Sequence, residues 1–186
     1  MNSNNFKRNK AIFLDRDGTI IVDKVYLNDP NQIEYLPGVF EALKQLQAAG
    51  FIFMIVTNQS GVPRGLVTLE NLHEIHRRIQ LAFLEHGVEF QEFYYAPYHT
   101  DSDHPMRKPN PGMILKGVED HQVDPQRSWM IGDRMIDVEA GHRAKMKTIM
   151  VGPRENPADF PEWQPPTGHY PNIIDAVPFI LKNTEV

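Results

Sequence analysis

Cysteine is absent from the chain, which removes disulfides, thiolate metal sites and cysteine nucleophiles from consideration. Positive charge is also scarce. With 19 Lys and Arg against 24 Asp and Glu the formal net charge is -5, so there is no electrostatic footprint for nucleic acid or an anionic membrane. No apolar run approaches the ~20 residues of a membrane span. Residues Met1 to Lys10 are polar and basic and lack the apolar centre of an export signal. These absences lead us to expect a soluble, cytoplasmic, monomeric protein whose partner is a small molecule, with no nucleic acid and no membrane. The 186 residues suffice for one core and would cramp a second.

Strand-like apolar runs alternate with stretches of helical periodicity, the pattern of βαβ units around a parallel sheet. Five strands are expected: Ala11 to Leu14, Phe51 to Val56, Phe90 to Tyr95, Trp129 to Ile131 and Thr148 to Val151. Between them, Val39, Leu43 and Leu46 share one helical face, as do Leu72, Ile75, Ile79 and Phe83, with Gly50 and Gly87 as stops. Further helices are predicted over Pro111 to about His121, Asp133 to about Ala144 and Ile173 to Leu181. The expected fold is α/β, a Rossmann-like three-layer sandwich with a mainly parallel central sheet. The segments after the first two strands are nearly filled by one helix each, so no large cap domain is expected. The predicted organisation is a polar tail over 1–10, a core over 11–152 and a Pro-rich extension over 153–186. That extension, with Pro153, Pro157, Pro161, Pro165, Pro166 and Pro171, should pack on the core.

The strand ends carry the chemistry. The first strand stops at Asp15-Arg16-Asp17-Gly18-Thr19, two acids at the edge where open α/β sheets hold ligands. Carboxylates this close need a cation between them or a shared proton, although Asp, Gly and Thr are also ordinary turn residues. The second strand ends in Thr57-Asn58-Gln59-Ser60-Gly61, hydroxyl and amide groups suited to a phosphoryl oxygen. After the third comes Arg107-Lys108-Pro109-Asn110-Pro111-Gly112, with Asn110 as the expected N-cap and Pro111 at the first helical position. The fourth ends at Asp133, with Asp137 four residues on and on the same side. Any one of these segments could be a polar turn. All four converging on one sheet edge point to catalysis. His73, His76, His86, His121 and His142 fall on predicted helices or their ends and are expected to serve packing or the surface.

In order and wording, the four segments resemble the motifs of the haloacid dehalogenase superfamily of phosphohydrolases, over Ala11 to about Gly152. The resemblance implies a phosphoric monoester hydrolase in which Asp15 accepts the phosphoryl group as an aspartyl phosphate and Asp17 is the general acid and base. It implies Mg2+ held by the Asp15 carboxylate, the Asp17 backbone carbonyl and Asp133, with Thr57 and Lys108 balancing charge on the phosphoryl group. Asp137 would orient Lys108 or a metal-bound water. Within the superfamily the motifs are similar to those of D-glycero-D-manno-heptose bisphosphate phosphatases and their histidinol-phosphatase relatives. Ser60 and Arg64 fit the heptose branch, since the other tends to carry an acidic residue after the Gln. The implied partner is a small phosphorylated metabolite, heptose 1,7-bisphosphate foremost. Histidinol phosphate is the nearest alternative; a DNA 3'-phosphatase or a non-catalytic phosphate sensor lies further off. The implied substrate contacts are Asp23, Lys24, Val25, Tyr26, Thr57, Asn58, Gln59, Ser60, Arg64, Arg107, Lys108 and Arg134. Many members of the subfamily bind zinc through three cysteines and a histidine before the Arg-Lys motif. Here Ala96 and Tyr98 stand where the first Cys and the His would fall, so structural Zn2+ is not expected. His99, Asp101, Asp103 and His104 could offer a substitute set, and Pro97, Pro105 and Pro109 could hold the loop instead.

Overall fold

A computed structural model describes residues 8–153 and 155–184. Most of the polar tail expected over 1–10 lies outside these residues. Six strands form one sheet: β1 (Lys10–Leu14), β2 (Phe51–Asn58), β3 (Phe90–Ala96), β4 (Trp129–Gly132), β5 (Lys147–Val151) and β6 (Gly168–Tyr170). Their order is β3-β2-β1-β4-β5-β6, and every neighbouring pair is parallel. The helices are α1 (Val39–Ala48), α2 (Leu69–Glu85), α3 (Gly112–Asp120), α4 (Met135–Arg143) and α5 (Ile173–Lys182).

The layering follows from the two-residue repeat of a strand. In β1, Ile12 and Leu14 face a core completed by α1, α2 and α5. Ala11 and Phe13 face the other, with Met113 and Ile114 of α3 and Ala140 of α4. Apolar side chains are therefore needed on both faces, and the run Ala11-Ile12-Phe13-Leu14 is fully buried. The three-layer parallel α/β architecture is as expected.

The sixth strand is a correction. Gly168-His169-Tyr170 has too little apolar character to announce a strand, and β5 recruits it at the sheet edge, Ile149 opposite Gly168 and Val151 opposite Tyr170. The extension thus supplies an edge strand and, in α5, part of one core. The residues after α5 are tied in by Trp129, whose indole Nε1 donates to Thr184 Oγ1 at 2.9 Å.

The chain leaves β1 toward β2 on one side, while β4 pairs with β1 on the other. The strand order reverses there, and the crevice outside the C-terminal ends of β1 and β4 is where such a sheet leaves room for a ligand. Asp15 follows the last residue of β1 and Asp133 the last of β4.

Candidate active site

The Asp15 backbone N–H donates to Ile131 O at 2.9 Å, extending the β1–β4 ladder one residue beyond the strand. The carboxylate is therefore fixed by the sheet itself. Lys108 Nζ lies 2.7 Å from Asp15 Oδ1 and 2.6 Å from Asp137 Oδ1. All three side chains are buried. Burial alone would lower the Lys108 pKa, but Asp137 and Asp15 outweigh it and hold the ammonium above its ordinary value. Burial pushes the Asp15 carboxyl up, against the pull of Lys108. Lys108 is itself gripped through its backbone. Asn58 Nδ2 donates to Lys108 O at 3.0 Å, and Lys108 N donates to Asn58 Oδ1 at 3.1 Å. Both ends of the Asn58 amide are spent in holding the lysine.

Asp17 is fixed differently. Arg16 donates to it from Nε and from Nη2, each at 3.1 Å, and Gln59 Nε2 donates to Asp17 Oδ2 at 3.1 Å and to Thr57 Oγ1 at 2.9 Å. Burial raises the Asp17 pKa, with Arg16 acting against it. Gly18 has φ +80 and a Cβ there would sit 2.3 Å from Asp133 Oδ2, so the glycine both makes the turn and admits the third acid. Gly132, the last residue of β4, makes room for Asp137, whose Oδ2 a Cβ would meet at 2.3 Å. That oxygen also accepts Arg134 N at 3.1 Å at the start of α4.

Asp15, Asp133 and Asp137 each offer a carboxylate oxygen, all within 4.8 Å of one another. Three buried carboxylates, two of them on one ammonium, are a hard-oxygen donor set with negative charge in excess. That arrangement fits a divalent cation of the magnesium type. Among the described residues, His99, Asp101, Asp103 and His104 form no such group. The loop that carries them is braced instead by a Tyr98–His104 ring stack with centroids 3.7 Å apart. Asn110 Nδ2 donates to Asp103 Oδ1 at 2.9 Å, and Arg143 of α4 donates to Asn110 Oδ1 at 2.9 Å. Asn110 therefore does not cap α3. The N-cap is Pro111, because the Asn side chain is used to close its own loop.

Over these acids opens a cleft of about 220 Å³. It gathers Asp15, Asp17, Asp23, Val25, Tyr26, Thr57, Asn58, Gln59, Ser60, Arg107, Lys108, Asp133 and Arg134. Two of the expected contacts stand apart from its wall. Lys24 turns away to Glu34 at 2.7 Å. Arg64 sits behind the wall, donating to Tyr26 Oη at 3.2 Å and to Thr100 Oγ1 at 2.8 Å. Arg107 is buried, and its Nη1 has no hydrogen-bond partner. Burial and the guanidiniums of Arg134 and Arg64 lower its pKa. Arg107 and Arg134 thus both face the cleft, and the Arg107 guanidinium keeps one nitrogen unsatisfied.

Several contributors are not visible in the motifs. Thr100 lines the cleft from outside every motif, and Ile136, apolar between Asp133 and Asp137, lines it without a chemical role to announce it. Glu155, from the extension, accepts Arg134 Nε at 2.9 Å and Met135 N at 2.7 Å. His76 of α2 lies 3.1 Å from Arg16 Nη1. Its apolar helical neighbours signal burial but not its partner.

A parallel α/β sheet with this constellation at its switch point defines a class, and comparison with known proteins names it. Residues 105–175 match the HAD-hydrolase-like family model. The chain belongs to the HAD-like phosphatases and is a phosphoric monoester hydrolase. It is 39% identical over 149 residues to D-glycero-beta-D-manno-heptose-1,7-bisphosphate 7-phosphatase of Pasteurella multocida, covering 76% of this chain and 81% of that one. The enzyme of the same name from Helicobacter pylori is 37% identical over 144 residues, covering 77% and 83%. Among solved structures, D,D-heptose 1,7-bisphosphate phosphatase from B. bronchiseptica, complexed with magnesium and phosphate, superposes with TM-score 0.82 at 26% identity. The match covers 93% of this chain and 98% of that one.

Proposed function

We propose that this phosphatase acts on a small sugar bisphosphate, D-glycero-D-manno-heptose 1,7-bisphosphate foremost, through an aspartyl phosphate on Asp15. The observation that carries the reading is the buried Lys108 ammonium between Asp15 and Asp137, beside an Asp17 held by separate donors. Two carboxylates two residues apart are thereby given different environments, as two different roles require. Asp15, on the rigid end of β1, is the nucleophile. Its attack on phosphorus breaks the ester bond, and Asp17 gives its proton to the leaving alkoxide. Asp17 then takes a proton from the water that cleaves the acyl phosphate, which returns the Asp15 carboxylate and releases phosphate. Lys108 and Thr57 offset charge on the phosphoryl oxygens during both transfers.

Asp15, Asp133 and the Asp17 backbone carbonyl would hold Mg2+, with Asp137 keeping Lys108 in place from the other side. When bound, the ion supplies charge stabilisation and alignment of the transferring phosphoryl group. Zinc has no part in this reading, since ring stacking and the Asn110 contacts hold the loop that a zinc site would brace. The bisphosphate is supported by the relatives' names and by the cations at the rim. Arg107, with an unpartnered Nη1, and Arg134 suit the phosphate that stays on the sugar. Asp23, Val25, Tyr26 and Ser60 would meet the sugar between the two phosphates. The test is steady-state phosphate release with Mg2+ from heptose 1,7-bisphosphate, histidinol phosphate, other sugar phosphates and a 3'-phosphorylated oligonucleotide. The bisphosphate should give the highest kcat/KM. A preference for any other member of the set overturns the substrate assignment, and tight binding without turnover overturns the catalytic one.

A further inference from the structure

Arg16, between the two motif acids, is one of the largest fully buried side chains in the protein, at 1% exposure. Its Nε and Nη2 reach Asp17, and its Nη1 lies 3.1 Å from His76 Nε2. A guanidinium has only donors. The His76 Nε2 atom must therefore present its lone pair, which makes the imidazole neutral with its proton on Nδ1. His76 is itself buried, and its ring stacks on Phe93 of β3 with centroids 4.9 Å apart. Burial, followed by the Arg16 charge, pushes its pKa down to about 2, consistent with that neutral form.

We propose that His76 is a positioning residue for the acid Asp17: by accepting Arg16 Nη1 it fixes the plane of the guanidinium whose other nitrogens hold the Asp17 carboxylate. The inference rests on Asp17 being the general acid. The physical need is directional. Gln59 anchors one oxygen of Asp17 from the β2 side, but only the Arg16 fork determines how the carboxylate plane is turned. A buried guanidinium with Nη1 unpaired would lose a charge-assisted hydrogen bond and regain it by rotating, taking Asp17 with it. Histidine suits the place because it accepts without adding a second negative charge. A carboxylate at position 76 would compete with Asp17 for Arg16.

The test uses the leaving group. p-Nitrophenolate departs without a proton, whereas phenolate and alkoxide leave poorly unless protonated, so only the latter need a well-aimed acid. His76→Phe keeps the ring stack and removes the acceptor. It should lower kcat/KM for phenyl phosphate about tenfold while that for p-nitrophenyl phosphate stays within about twofold. His76→Gln, whose amide oxygen accepts, should recover most of the loss. Asp17→Asn should show the same split more strongly, and adding His76→Phe to it should cost nothing more. His76→Leu carries the same test should the Phe protein not fold. If Asp17→Asn shows the split and His76→Phe lowers both substrates equally, or neither, the positioning role is wrong and the acid assignment stands. If Asp17→Asn shows no split, the acid assignment itself fails and the inference falls with it.

Discussion

The floor and the rim of the cleft are built on opposite plans. On the floor, Asp15, Lys108, Asp133 and Asp137 are buried, and the Lys108 ammonium and both ends of the Asn58 amide are engaged within the protein. At the rim, Val25 is 75% exposed. It is the centre of a γ-turn, Tyr26 N donating to Lys24 O at 2.8 Å, with φ 68 for a β-branched residue. The contrast divides the labour. A floor locked by charge and sheet geometry suits one reaction step. A rim of loops that carries Arg107 and Arg134 suits the choice of what is bound.

The sharpest way to break that division is Asp15→Asn, which removes the nucleophile and little else. Phosphate release should fall by at least about 10³-fold for every substrate. A loss confined to one substrate would place Asp15 with the rim. Lys108→Met comes next, since it leaves Asp15 and Asp137 facing each other in a buried site. Denaturant unfolding in the presence of a chelator should show a loss of about 3–5 kcal/mol. An unchanged midpoint would mean that the floor is not held by its charges.

Arg107→Ala tests the rim. KM for the bisphosphate should rise by about 10- to 100-fold, equivalent to about 1.4–3 kcal/mol. Turnover of p-nitrophenyl phosphate should barely move, and equal losses on both would make Arg107 part of the floor. Beneath the floor, His76 gives a pH signature. Its folded pKa of about 2 lies below the ordinary 6.5, so between these values the unfolded chain binds the extra proton. Its stability contribution is complete above about pH 6.5 and declines as pH falls, by about 2 kcal/mol at pH 5. His76→Phe should flatten the acid limb of a stability-against-pH curve by that amount, and an unaltered slope refutes it. The smallest effect is expected from Val25→Gly. Relief of the left-handed φ is offset by the freer unfolded chain, so stability should change by less than about 1 kcal/mol. A larger loss on thermal unfolding would show that the rim is as tightly built as the floor.

Much of the molecule is legible in the chain because its patterns are local. Five strands are legible as short runs rich in apolar residues, four of them buried along most of their length; β1, β2 and β4 end directly in polar groups at one edge, and Lys108 arrives there from the loop before α3. The sixth strand is not legible, because Gly168-His169-Tyr170 becomes a strand only through the neighbour it meets. Asn110 looked like a cap by position, yet its amide closes a loop. Glu155 lies in a stretch with no motif but reaches Arg134 across the fold.

The sequence by itself determined the sheet type, the edge that carries the chemistry, and the order in which acid pair, hydroxyl, lysine and third acid arrive there. Periodicity and turn chemistry act over a few residues, and those signals survive without the fold. Only the tertiary structure decided the partnerships: Lys108 between Asp15 and Asp137, Asn58 on the backbone of Lys108, and Arg16 between Asp17 and His76. The longest of those contacts join residues 50, 60 and 93 positions apart. A buried charge finds its partner through packing, which no local pattern encodes.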